Sequence, residues 1–210
     1  MPVKAIAKEA RAKGIEILVD GAHTFAHLDY KMSDLDCDYF GTSLHKWLCA
    51  PFGSGMMYIK KEKIKNIWPL FGTDKPESDD IRKFESQGTR SFATEQAIRN
   101  AIEFQLLIGT KRKEERLRHL RNYWTEKVKD VPKVKFYTSL KLEYSCALFV
   151  VGIEGMKPGD LESELFNTYK IHTTPIDFEA VHGVRVTPHV YTSLRDLDLL
   201  VKAIKEIAAK

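Results

Sequence analysis

The feature that most restricts the fold is a pair of short apolar runs that each end on a polar side chain. "IEILVD" stops at Asp20 and "CDYFGTS" stops at Ser43. A third run, "GSGMMYI", opens soon after. Val3, Ile6, Ala7 and Ala10 precede the first run at helical spacing, and Gly14 is placed to end that helix. Helix, strand, connection, strand is the order of an α/β sheet, mostly parallel. In such sheets ligands collect beyond the carboxyl ends of the strands, where Asp20 and Ser43 both stand.

The rest of the chain divides by pattern. Residues 72 to 92 are polar and irregular and suit an exposed or partner-facing connection. Residues 94 to 129 carry one helical pattern with Ala97, Ala101, Phe104, Leu107 and Ile108 on one side, and Gly109 is placed to kink it. Strands are predicted at "KVKFYT", "YSCALFVVGI", "KIHTTPI" and "GVRVTP", with helices over 158 to 169 and 193 to 209. The expected organisation is a large-domain part over 1–108 and a small α+β domain over 109–210.

Lys and Arg exceed Asp and Glu by 33 to 29, a net charge of +4 that gives no footing for nucleic acid. The basic run at 111 to 119 is broken by Glu114 and Glu115 and reads as a solvated helix face. No run approaches the ~18 apolar residues of a membrane helix, and the first residues form no apolar signal region. Cys37, Cys49 and Cys146 are far apart and odd in number, which predicts reduced thiols in a cytoplasmic protein. His23 and His27 have the i, i+4 spacing of zinc ligands, but Gly21 disfavours a regular helix there and no glutamate lies between them, so no metal is expected.

The chemistry concentrates in "GTSLHKWLCAPFGSGMMYI", Gly41 to Ile59. Burial of Lys46 by Trp47, Leu48 and Phe52 would favour its neutral amine, which can form a Schiff base with an aldehyde. Ser43 and His45 can donate to an anion, Gly53 and Gly55 allow a tight turn, and Asp20 can pair with a protonated ring nitrogen. An amine, anion donors and a strand-end carboxylate are the protein parts that pyridoxal phosphate requires. Taken singly each has a plain alternative: a surface His-Lys pair, or an aspartate that caps a turn. Their order, with 26 residues from Asp20 to Lys46, is far more specific.

"VDGAH…DYFGTSLHKWLCAPFGSGMMYI" resembles the cofactor-lysine region of the class V aminotransferases, fold-type-I pyridoxal phosphate enzymes that include isopenicillin N epimerase-like proteins and cysteine desulfurases. "FESQGTRSFATEQAIRNAIEF" and "GVRVTPHVYTSLRDLDLLVKAI" resemble, more loosely, the family's glycine-threonine segment and its C-terminal arginine strand and closing helix. The resemblance implies Lys46 as the Schiff-base lysine and acid/base, and Asp20 on the pyridine nitrogen. It implies Ala22 against one ring face, His23 at the phenolic oxygen, and Ser43 and His45 at the phosphate. Thr89 would reach the phosphate of a neighbouring subunit, making a homodimer part of the site, and Arg185 would clamp the carboxylate of an amino acid substrate.

Family members are much longer than this chain. The resemblance therefore implies a C-terminal portion: the second half of the large domain followed by the small domain, without the glycine-rich phosphate turn or the residue stacked on the ring's other face. Cys146 reads as a structural strand residue rather than an attacking thiol. This points to an aminotransferase or epimerase-like branch, ahead of a cysteine desulfurase or selenocysteine lyase-type lyase. The reading from a different class is a non-catalytic interaction module of the same fold.

Overall fold

The first two predicted strands are present and shorter than their apolar runs. In the computed structural model, which describes residues 1–210, helix α1 (Val3–Ala12) leads into strand β1 (Leu18–Asp20). Gly14 takes a left-handed φ of 70° and its N–H closes on the Arg11 carbonyl, which ends the helix as expected. A short helix α2 (Met32–Leu35) precedes β2 (Tyr39–Ser43), and β3 (Gly55–Ile59) follows. The order is β1-β2-β3, with β2 parallel to β1 and antiparallel to β3. Only the central strand β2 is substantially buried, with Phe40 fully enclosed.

Buried Asp38 ties this sheet together. It accepts from the Ile17 N–H at 2.9 Å and pairs with Arg11 at 3.4 Å and Lys60 at 3.9 Å. Beyond β3, 3-10 turns occupy Lys61–Asn66 and Ile81–Glu85, so the polar connection is not wholly irregular.

The long helical pattern is two helices, not one kinked helix: α3 (Phe92–Ile108) and α4 (Thr110–Val128). Gly109, at φ 83°, separates them, a conformation that breaks the ladder and that L side chains rarely adopt. The expected apolar side of α3 is only partly covered. Ala101 is buried, whereas Phe104 and Leu107 are exposed, Leu107 to 83%.

Contact density divides the chain into Met1–Thr110 and Lys111–Lys210. The second unit contains α4, β4 (Val134–Phe136), β5 (Phe149–Ile153), α5 (Pro158–Tyr169), β6 (Thr174–Phe178), β7 (Val181–Val186) and α6 (Leu194–Ala208). Its four-stranded sheet is antiparallel, ordered β4-β5-β7-β6. Leu117, Leu120, Trp124 and Val128 form one buried stripe on α4, and Leu197, Leu200, Val201, Ile204 and Ala208 form one on α6. Ser193 and Asp196 close a reciprocal cap at the start of α6. Pro158 opens α5, where its missing N–H costs nothing.

Candidate active site

The carboxyl ends of β1 and β2 are locked side by side. Gly21 N–H donates to the Gly41 carbonyl at 2.7 Å, and Thr42 Oγ1 donates to the Gly21 carbonyl at 3.3 Å. A Cβ on Gly21 would lie 1.9 Å from the Phe40 ring, so only glycine allows this close approach. The turn after β1 is shaped by Asp20, whose Oδ1 accepts from the Ala22 N–H at 2.9 Å. Asp20 is exposed and its Oδ2 makes no hydrogen bond.

The segment after β2 folds against that turn. Leu44 N–H donates to Ser54 O, Ala50 N–H to Leu44 O, and Cys49 N–H to Lys46 O, so residues 44 to 54 form a closed loop. Cys49 and Gly53 take positive φ values of 64° and 83° to make it. Leu44, Trp47, Leu48 and Ala50 point inward and are buried. Trp47 reaches back to the β1 turn: its Nε1 donates to His23 Nδ1 at 3.4 Å, and its indole stacks on His27 with ring centroids 3.8 Å apart.

Asp20, Ala22, His23, Ser43, His45 and Lys46 are thus brought to one end of one small sheet. Lys46 is half-buried, and its amine makes no hydrogen bond or ion pair. Burial is less complete than expected. Trp47 and Leu48 are enclosed, but Phe52 is 87% exposed, with its ring tilted against His45 at 5.3 Å between centroids. His45 Nδ1 is buried with no hydrogen-bond partner. An orphaned buried polar atom of this kind is costly unless something else supplies its partner.

Two predicted residues belong to other elements. Thr89 lies exposed in the segment before α3 and makes no hydrogen bond to the others. Arg185 belongs to the second unit. It sits on β7 opposite Thr174 and between buried Val184 and Val186. Its Nη2 donates to Thr174 Oγ1 at 3.4 Å, and its Nε is buried and unpartnered. It does not simply face solvent.

Cys146 precedes β5 rather than lying in it, because the strand begins at Phe149. It is buried, and that burial pushes its thiol up to about 11. Such a thiol is almost wholly protonated at neutral pH and is a poor nucleophile. No cluster of three or more His, Cys, Asp or Glu side chains is placed to hold a metal ion. His23 and His27 are engaged around Trp47 instead. Trp47 is the neighbour of the candidate site that local spacing undervalued. Its position beside Lys46 suggested packing, and nothing in local spacing indicated that it would bond a residue 24 positions away.

The donor set fits pyridoxal phosphate. An unengaged lysine amine and an orphaned imidazole nitrogen lie on one loop, and an aspartate oxygen without a partner lies at the adjoining strand end. Comparison with known proteins gives the same direction. The chain is 26% identical to an isopenicillin N epimerase of Streptomyces clavuligerus, over all of this chain and 57% of that protein. An apo cysteine desulfurase from Thermococcus onnurineus NA1 superposes with a TM-score of 0.84 at 21% identity, over 99% of this chain and 56% of the other. A C-DES mutant with glycine covalently linked to its PLP cofactor superposes with a TM-score of 0.83 at 17% identity, over 98% and 56%. The chain therefore spans little more than half the length of these relatives. The fold is that of the pyridoxal phosphate-dependent class V enzymes. With residues 1–175 matching the family described as "Aminotransferase class-V", the chain belongs to the class V aminotransferase family.

Proposed function

We propose that this chain carries the cofactor-attachment site of a pyridoxal phosphate-dependent enzyme that acts on an amino acid, of the aminotransferase or epimerase type. The observation that carries the proposal is a half-buried, unengaged Lys46 amine and an orphaned His45 Nδ1 on one loop, which follows the strand paired with the one that ends at Asp20. When bound, pyridoxal phosphate supplies an electron-withdrawing ring and an aldehyde.

Lys46 is the covalent attachment point, and its amine moves the proton at the substrate α-carbon. Asp20 holds a proton on the ring nitrogen, because an adjacent carboxylate favours the charged form of a base. His45 and Ser43 bind the phosphate, Ala22 lies against a ring face, and His23 donates to the phenolic oxygen. Arg185 pairs with the substrate carboxylate, a role supported by its unpartnered Nε. Thr89, exposed and unbonded here, serves the phosphate of the second subunit in a homodimer. A cytoplasmic setting belongs to the same proposal, supported by the odd number and wide spacing of the three cysteines. The buried, protonated thiol of Cys146 favours the aminotransferase or epimerase branch over a cysteine desulfurase.

A second reading, a non-catalytic module of the same fold, is favoured by the exposed apolar side chains on β3 and α3, among them Met57, Phe104 and Leu107. One experiment separates the two. Pyridoxal phosphate is added, the adduct is trapped with borohydride, and the labelled peptide is mapped. Label on Lys46 that disappears in Lys46→Ala supports the enzyme. A folded chain without label on Lys46 leaves the module.

A further inference from the structure

Trp47 lies between two histidines that are four residues apart in the chain. An indole N–H is a donor only. Facing His23 Nδ1 at 3.4 Å, it makes that nitrogen the acceptor. A neutral imidazole that accepts at Nδ1 carries its proton on Nε2. With its ring face the indole stacks almost parallel on His27, at 3.8 Å and 8°. His27 Nδ1 lies 2.8 Å from the His23 carbonyl oxygen, which accepts and cannot donate, so His27 carries its proton on Nδ1. The two rings thus hold opposite tautomers within one closed frame. The His23 carbonyl sets His27, His27 orients the indole, and the indole sets His23. Trp47 is 3% exposed and His27 4%, so water competes little for either contact.

We infer that Trp47 is a positioning residue for His23, holding its neutral ring in the Nε2–H form so that it donates to the cofactor's phenolic oxygen. This rests on the reading of the chain as a pyridoxal phosphate protein. A phenolate oxygen has lone pairs and no proton to offer. The Nε2–H form therefore attracts it, and the opposite tautomer would present a second lone pair to it. The tryptophan after the lysine thus does more than pack.

The test uses the ¹⁵N-labelled 210-residue chain. Two-bond proton–nitrogen correlation spectra read the His23 tautomer in the native protein and in Trp47→Phe. A further variant replaces Trp47 with β-(3-benzothienyl)alanine, which keeps the ring outline and lacks the N–H, so a destabilised Trp47→Phe leaves the question open to measurement. The native protein is expected to show only the Nε2–H form, and the variants a mixture of both. Pyridoxal phosphate affinity is expected to fall about three- to ten-fold, the net worth of one hydrogen bond, with Lys46 still labelled. A native His23 in the Nδ1–H form, or a tautomer unchanged in the benzothienyl variant, overturns the inference whether or not Lys46 takes label. A tautomer that shifts in a protein never labelled at Lys46 overturns the cofactor reading instead, and with it the phenolic-oxygen role of His23.

Discussion

Lys111–Lys210 closes over its own apolar side chains, whereas Met1–Thr110 leaves half of its large ones in solvent. In the second unit Leu120, Trp124, Phe149, Val151, Leu161, Leu165, Val184 and Ile204 form one continuous core, with the rings of Trp124, Phe136 and Phe149 edge to face. The first unit has only small clusters, one around Leu44, Leu48, Ala50 and Ala101 and another around Tyr39, Ile59 and Ile64. Seventeen of the chain's 25 exposed large hydrophobic side chains lie in it. Both outer strands of its sheet, β1 and β3, are paired on one side only. Stability is thus concentrated in one unit, while the lysine loop and its orphaned imidazole occupy the other. Exposed apolar area and open strand edges are features that interaction surfaces commonly carry.

The strongest way to break this contrast is Lys46→Ala. If the first unit contributes chemistry more than stability, the variant loses all borohydride-trapped label, while its unfolding free energy by urea titration changes by less than ~0.5 kcal/mol. A large loss of stability would make Lys46 a structural residue. The complementary change is Trp124→Ala, which empties the centre of the second core. It should cost about 3–5 kcal/mol in the same titration, and a cost below ~1 kcal/mol would show that the core is not where stability resides.

Asp38 sharpens the comparison, because it is the buried ionic tie of the first unit. Burial pushes its carboxyl up, but the Ile17 N–H, Arg11 and Lys60 together outweigh burial and hold it below its ordinary value of 3.8. A depressed carboxyl contributes stability that is present above its unfolded pKa and lost as pH falls through the folded one. Asp38→Asn should therefore cost about 2 kcal/mol near neutral pH, and should flatten the acid side of the stability profile below pH ~4. Equal acid sensitivity in the two proteins would remove Asp38 from that account. The smallest effect is on thiol reactivity. Cys49 is exposed on the lysine loop, whereas Cys37 and Cys146 are buried, and burial raises both of their thiols. Mass-mapped alkylation under native conditions should label Cys49 first. Early labelling of Cys146 would show that the second unit opens more readily than its core implies.

Much of the second unit was legible residue by residue. The helices expected over 158 to 169 and 193 to 209 agree with α5 and α6 to within a residue at each end. The lysine loop was legible too, since glycine and proline punctuation after Lys46 specifies a turn wherever it occurs. Other features were not. The side of α3 carrying Phe104 and Leu107 has helical periodicity but no cover within this chain. Phe52 looks like a burying neighbour and stands in solvent. Cys146 sits in a strand-like run whose ladder starts three residues later.

By itself, the sequence determined the helices, the turns and the order of chemistry-bearing side chains, because caps, periodicity and glycine conformations act over a few neighbouring residues. Only the tertiary structure decided that Gly21 must yield space to Phe40, that the Lys46 amine stays unengaged, and that Trp47 joins His23 to His27. Those outcomes depend on burial and ring contacts between residues some twenty positions apart. Such contacts form only when β1 and β2 pair and bring their ends together.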